Sequence, residues 1–238
     1  AAQMGYRCHI FAPEKESVAA DVSASFTCAE WTDTAAMARF AEDCDVITWE
    51  FENVPVAALS AIPEEMLRPH PRALEVAQDR LAEKQFVEGL GGQPAPYAEV
   101  DTREDLDRAV DRIGAPGILK TRRDGYDGKG QWRIASQREA EALNLQPGRY
   151  VYEGMVGFDA EFSVILVRAM DGEIRYWNSA ENVHDHGILA SSTLPARARV
   201  EDEVLAARAL AAKVAEALNY VGVLTLEFFA TPAGPVFN

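Results

Sequence analysis

Three glycines fall within six residues, Gly125, Gly128 and Gly130, inside the run Leu119-Lys120-Thr121-Arg122-Arg123-Asp124-Gly125-Tyr126-Asp127-Gly128-Lys129-Gly130-Gln131. Strand-like segments, Gly117 to Lys120 and Gln131 to Ala135, flank the run. Glycine permits φ > 0 and lets backbone N–H groups approach an anion without a Cβ in the way. Lys120 and Lys129 add positive charge. The run fits neither G-x-x-x-x-G-K-[ST] nor G-x-G-x-x-G, which argues against the two commonest phosphate-binding folds. On composition alone, an Asp-Gly hairpin turn carrying solvated charges is the competing account.

The formal net charge of −15 would repel a phosphate backbone, so nucleic acid is not an expected partner. Against that background Lys120, Arg122, Arg123 and Lys129 reverse the sign locally, which suits a small anion. No apolar run approaches the roughly 20 residues needed to span a bilayer, and no membrane association is expected. Cys8, Cys28 and Cys44 make no C-x-x-C pair and read as reduced thiols of a cytoplasmic protein. His184 and His186 form H-x-H without a third ligand at zinc spacing, so zinc is disfavoured. The start at Ala1 reads as a helix tail and the end at Asn238 as a strand interior, so segments are expected to be missing at both ends.

Period and punctuation predict an α/β chain. Tyr6 to Ala12 reads as a strand, Thr34 to Glu42 as a helix, and Asp45 to Trp49 as a buried strand. Strands alternating with helices imply a parallel sheet, and Glu50 and Glu52 follow the end of such a strand, where ligands bind. Pro55 to Ser60 and Pro71 to Leu90 read as helices; Pro94 and Pro96 mark a linker. Next come a helix from Thr102 to Ile113 with a Thr102/Asp105 capping box, the loop, a helix from Ser136 to Leu143 and a strand from Tyr150 to Glu153. Ala160 to Arg168 and Ile174 to Asn178 read as a hairpin, followed by a helix from Asp202 to Asn219 and a strand from Val221 to Phe229. In that strand Val223, Thr225, Glu227 and Phe229 share a face. A carboxylate in so apolar a run needs a partner, either a cation such as magnesium or an arginine.

The run from Gly125 to Gln131 after Lys120 resembles the phosphate loop of the ATP-grasp superfamily, in the form typical of the 5-(carboxyamino)imidazole ribonucleotide synthetase family. Four further stretches carry the same resemblance in order and spacing: Trp49 to Val54, Asp79 to Lys84, Glu181 to Leu189, and Gly222 to Glu227. The resemblance implies an N-terminal Rossmann-like parallel-sheet domain over residues 1–93, lacking its first strand. A small ATP-grasp subdomain with the loop would follow over 94–152, and a large ATP-grasp subdomain over 153–238.

It also implies an activity, an ATP-dependent carbon–nitrogen ligation in purine synthesis. ATP and bicarbonate give carboxyphosphate, which carboxylates 5-aminoimidazole ribonucleotide, with Mg²⁺ as cofactor. By resemblance the ATP site comprises Arg80, Lys120, the loop backbone at Gly125, Tyr126, Asp127, Gly128, Lys129, Gly130 and Gln131, and the adenine-reading strand Glu153, Gly154, Met155 and Val156. Glu161 belongs at the ribose, and His184 and Asn238 in the same nucleotide site. Glu227 is the expected magnesium ligand, and the family's second carboxylate follows the position of Asn238. The acceptor is expected at Glu50 and Glu52, with Tyr126 and Asp127 facing them. Catalytic residues are expected beyond Asn238, and a homodimer is expected. Alternatives are another ATP-grasp ligase, of the formate-dependent glycinamide ribonucleotide transformylase or biotin carboxylase type, or an inactive nucleotide-binding fragment.

Overall fold

A parallel pair of short strands opens the chain, β1 (His9–Ala12) beside β2 (Ser25–Cys28), in register from His9 opposite Ser25 to Ala12 opposite Cys28. Helix α1 (Thr34–Glu42) starts at Asp33, whose carboxylate accepts from the Ala36 N–H at 2.8 Å and satisfies one of the open donors of the first turn. Its buried residues Met37, Phe40 and Ala41 join Ile47, Val54, Leu59, Ile62, Leu67 and Leu74 in one apolar core. The computed structural model describes residues 1–125, 129–185, 188–196 and 198–238. These form two compact units, Ala1–Glu75 and Val76–Asn238.

Asp45 to Trp49 is not the buried strand expected. Only Ile47 is buried, and it makes a single parallel bridge to Leu67, while Val46 is 59% exposed. A short apolar run does not by itself establish a pairing partner. The expected helix from Pro71 to Leu90 is two helices, α2 (Pro71–Ala77) and α3 (Arg80–Gly89). The break has a local cause. Asp79 takes extended backbone and caps α3, accepting from the N–H groups of Leu81 at 3.0 Å and Ala82 at 3.3 Å.

Within the second unit, β3 (Tyr97–Val100) was not anticipated, because Pro94 and Pro96 mask its start. Helix α4 (Arg103–Ile113) has the expected capping box between Thr102 and Asp105. The strands β4 (Gly117–Thr121) and β5 (Gln131–Ile134) flank the loop, followed by α5 (Gln137–Ala142) and β6 (Tyr150–Gly154). These strands form an antiparallel sheet in the order β3-β6-β4-β5. Its core holds Val100, Leu106, Leu119, Ile134 and Tyr152, all at 2% exposure or less.

A second sheet follows: β7 (Ala160–Arg168), β8 (Ile174–Tyr176), β9 (Ala180–Asp185), β10 (Ile188–Thr193), β11 (Gly222–Thr231) and β12 (Gly234–Phe237), with α6 (Ala198–Ala217) between β10 and β11. The order is β10-β9-β7-β11-β12, and β8 pairs with β7 as the expected hairpin. Side chains alternate between the two faces of a strand. Phe162, Val164 and Leu166 of β7 and Leu226, Phe228 and Ala230 of β11 are buried on one face, with α6 packed against both strands and burying Ala207, Ala211 and Ala215. Full burial of a large apolar side chain is worth about 1.5–3 kcal/mol, so this face anchors the sheet and leaves the other face for polar residues. The expectation of a mixed α/β chain with a parallel N-terminal sheet holds.

Candidate active site

Two groups of polar side chains lie in the second unit, one beside the loop and one on the open face of the large sheet. At the loop, the β4–β5 ladder runs to Lys120 opposite Gln131 and continues with the Thr121 N–H donating to Gly130 O at 2.8 Å. Gly130 sits at φ +69°, and a Cβ there would stand 2.5 Å from Thr121 Oγ1, so both conformation and space require glycine. Arg80, at the start of α3, donates from its backbone to Arg122 O at 3.0 Å and from Nη2 to Gly125 O at 3.3 Å. Arg80, Lys120, Gly125, Lys129, Gly130 and Gln131 are thus on or beside one strand-loop-strand unit. Tyr126, Asp127 and Gly128 lie outside the described residues.

The cluster of positive charge read at the loop is largely engaged by protein carboxylates. Arg122 holds Asp79 through two contacts, Nε to Oδ1 at 2.9 Å and Nη2 to Oδ2 at 2.7 Å, and reaches Glu99 at 2.7 Å. Arg123 Nε lies 3.5 Å from Asp79 Oδ2. Burial pushes the Asp79 carboxyl up, but the Arg122 hydrogen bonds and charge, with the α3 amides, hold it below the usual carboxylate range.

Lys120 meets Glu153. Its Nζ lies 2.8 Å from Glu153 Oε2, and Lys84 Nζ lies 3.3 Å from the same oxygen. Burial raises the Glu153 carboxyl, yet Lys84 and Lys120 outweigh it and keep the group below its ordinary value. Burial depresses the Lys84 ammonium, with Glu153 opposing only in part. Lys84 and Asp79 fall in a stretch singled out in the sequence without a role. For Lys84 the signal was a charged residue on the apolar face of a short helix, and for Asp79 a capping residue just before it. The Gly154 and Met155 N–H groups donate to Pro96 O at 2.8 Å and Pro116 O at 3.2 Å, and Met155 and Val156 lie past the end of β6 or nearly so, with Met155 50% exposed.

On the large sheet, Glu161, Ser163, Asn182, His184 and Glu227 share the face opposite α6. His184 Nδ1 contacts Glu161 Oε2 closely, and His184 Nε2 is 3.9 Å from Glu227 Oε2. Asn182 Nδ2 donates to Glu227 Oε1 at 3.4 Å, and Ser192 Oγ donates to Asn182 Oδ1 at 2.9 Å. The Asn238 N–H donates to Glu227 O at 3.1 Å across β11 and β12, which places the two residues side by side. Ser163, Asn182 and Ser192 were not anticipated as site residues; alternation with Glu161 along β7 would have found Ser163, and assigning strands β9 and β10 would have found the other two.

The reason given for Glu227 needs correction. Its face is not an apolar core: Val223 is 56% exposed and the Glu227 side chain 39% exposed, while Leu226 and Phe228 are the buried alternates. Its neighbours are Ser163, Asn182 and His184 rather than an arginine. Among the described residues, no group of three or more His, Cys, Asp or Glu side chains is arranged to hold a metal. The site offers the carboxylate oxygens of Glu161 and Glu227, the chemistry of a hard cation, so these residues fit magnesium by donor type. Glu50 and Glu52, in the N-terminal unit, are exposed and follow no strand, contrary to the placement expected. Among the described residues no helix is long and apolar enough to cross a membrane.

A glycine loop joins antiparallel strands, a second antiparallel sheet bears carboxylates on its open face, and residues 85–238 match the model of the ATP-grasp domain. The chain belongs to the ATP-grasp family. Residues 1–78 match the ribonucleotide synthetase preATP-grasp domain. The chain is 46% identical, over 98% of its length, to the N5-carboxyaminoimidazole ribonucleotide synthase of Brucella melitensis, covering 66% of that protein. Among solved structures, it is similar to the N5-carboxyaminoimidazole ribonucleotide synthetase of Thermus thermophilus, with TM-score 0.89, 41% identity, and coverage of 100% of this chain and 65% of that one. The Staphylococcus aureus N5-carboxyaminoimidazole synthetase solved with ADP gives TM-score 0.88, 29% identity, and coverage of 100% and 64%. The chain therefore spans a little under two thirds of the length of these relatives.

Proposed function

We propose that the protein is an ATP-dependent carbon–nitrogen ligase that carboxylates 5-aminoimidazole ribonucleotide to 5-(carboxyamino)imidazole ribonucleotide in purine synthesis. A bicarbonate oxygen attacks the γ-phosphorus of ATP and ADP leaves; the carboxyphosphate gives its carboxyl group to the exocyclic amine and releases phosphate. The observation that carries this reading is 46% identity to an N5-carboxyaminoimidazole ribonucleotide synthase running through both units.

In this reading Lys120 and Arg80 hold the phosphates, and the loop backbone from Gly125 to Gln131 covers them. Phosphoryl transfer needs charge neutralisation and positioning more than covalent chemistry, which is what a glycine loop and two cations provide. The strand end from Glu153 to Val156 reads adenine through its backbone, and Glu161 and His184 take the ribose side. Glu227, with Asn238 beside it, would hold Mg²⁺, whose bound form neutralises phosphate charge. Glu50 and Glu52 of the first unit remain proposed acceptor contacts. The division at 93/94 and 152/153, the cytoplasmic location and the homodimer belong to the same proposal.

The test is an assay of the complete gene product with ATP, magnesium, bicarbonate and 5-aminoimidazole ribonucleotide. Acceptor-dependent release of ADP and phosphate is expected. Activity only with formate and glycinamide ribonucleotide, or only with biotin, would replace the acceptor assignment, and the absence of any acceptor-dependent ADP would overturn the ligase reading.

A further inference from the structure

Glu153 carries two ammonium groups on one oxygen. Lys120 Nζ and Lys84 Nζ both converge on Oε2, at 2.8 Å and 3.3 Å, while Oε1 is buried and accepts no hydrogen bond among the described residues. Lys84 is 3% exposed and Glu153 5% exposed. A buried lysine is expensive, and an apolar residue would pack on this face of α3 at lower cost. Neutralising Glu153 does not require Lys84, since Lys120 already makes the shorter contact. Nor does Lys84 complete the hydrogen bonding of Glu153, because it leaves Oε1 unpartnered. What Lys84 changes is the charge of the cluster: two ammonium groups and one carboxylate leave it at +1, whereas Lys120 and Glu153 alone would close into a neutral pair.

We propose that Lys84 is a positioning residue for Lys120: by sharing Glu153 Oε2, it keeps Lys120 from being neutralised and leaves that ammonium oriented and charged for a nucleotide phosphate. The proposal rests on the reading of Lys120 as a phosphate contact and goes beyond it, since Lys84 need not touch the nucleotide. It makes Glu153 a charge regulator whose strength is set by Lys84. Because electrostatic terms are strengthened where water is excluded, one unit of charge here has a measurable effect on anion affinity.

The experiment is calorimetric titration of the full-length protein with ADP and magnesium, with thermal unfolding of each variant as a folding control. Lys84→Met is expected to weaken ADP binding about tenfold, the scale of a lost charge-assisted interaction. Lys84→Gln, close in shape and polar but uncharged, should show the same loss and serves if the Met variant does not fold. Lys84→Arg should bind nearly as the wild type. The decisive variant is Lys84→Met combined with Glu153→Gln, which returns the cluster to +1 and should recover most of the lost affinity. A purely structural role predicts the opposite, a double variant weaker than either single one. Wild-type affinity in the uncharged Lys84 variants, or an additive loss in the double variant, overturns the proposal. Failure of the wild type to bind ADP would instead overturn the nucleotide-site reading on which it rests.

Discussion

Asp79 and Arg122 hold each other through two parallel contacts, Nε to Oδ1 at 2.9 Å and Nη2 to Oδ2 at 2.7 Å, and the same carboxylate caps α3. One buried side chain therefore joins the start of a helix to the strand end that opens the glycine loop. Asp79→Ala removes both functions and leaves the mostly buried Arg122 guanidinium with Glu99 as its carboxylate partner. A loss of about 3 kcal/mol is expected, read as a lower urea midpoint. An unchanged midpoint would show that the pair contributes nothing net.

The same carboxylate predicts a pH dependence. Asp79 and Glu153 are both held below their ordinary values in the folded chain, so the unfolded chain binds more protons as the pH falls into the carboxylate range. The stability they contribute is complete above the unfolded value and is lost as the pH falls through the folded value. Unfolding free energy should decline on acidification below about pH 4, near the reference range for carboxylates. Asp79→Asn should flatten that decline; a profile as steep as the wild type's would remove Asp79 as a contributor.

Lys120→Ala should weaken ATP binding by about 2 kcal/mol or more, the loss expected for a hydrogen bond to a charged group. Titration calorimetry measures it directly. Unaltered affinity would reduce the loop to an ordinary turn with solvated charges.

Gly117, at the start of β4, offers a test of packing in the four-stranded sheet. A Cβ there would stand 2.2 Å from Tyr152 Oη, which donates to Gly114 O at 2.8 Å in a fully buried position. Gly117→Ala should destabilise the protein by about 1–3 kcal/mol through overpacking, seen as a lower melting temperature. Tyr152→Phe should not rescue it, because the Tyr152 Cζ at 2.3 Å and the Glu153 backbone O at 2.7 Å would still meet the added Cβ.

Local signals in the sequence were sufficient for much of the second unit. The capping box at Thr102 and Asp105, the β4–loop–β5 turn, the β7–β8 hairpin and the apolar face of α6 all depend on residues a few positions apart, so their patterns are written in short windows. Where the answer depended on a distant partner, the reading failed. Asp45 to Trp49 found no neighbouring strand beyond one bridge, and the helix from Pro71 broke at Asp79, whose extended cap is held by Arg122 across 43 residues. Strands β9 and β10 were missed because polar residues fall on both of their faces, so neither shows the apolar alternation of a half-buried strand.

The sequence by itself carried the family resemblance and the glycine loop, and through that resemblance it singled out Lys120, Glu153, Glu161, His184 and Glu227 as candidates, because motifs are properties of the linear chain. Only the tertiary structure decided which charges meet. It spent Arg122 on Asp79 rather than leaving it in the loop's positive cluster, put Glu227 on an open face beside Asn182 and His184, and brought Lys84 and Lys120 onto one oxygen of Glu153. Pairing of charges depends on distances of a few ångströms and on exclusion from water, and both are set by how strands and helices pack, not by their order along the chain.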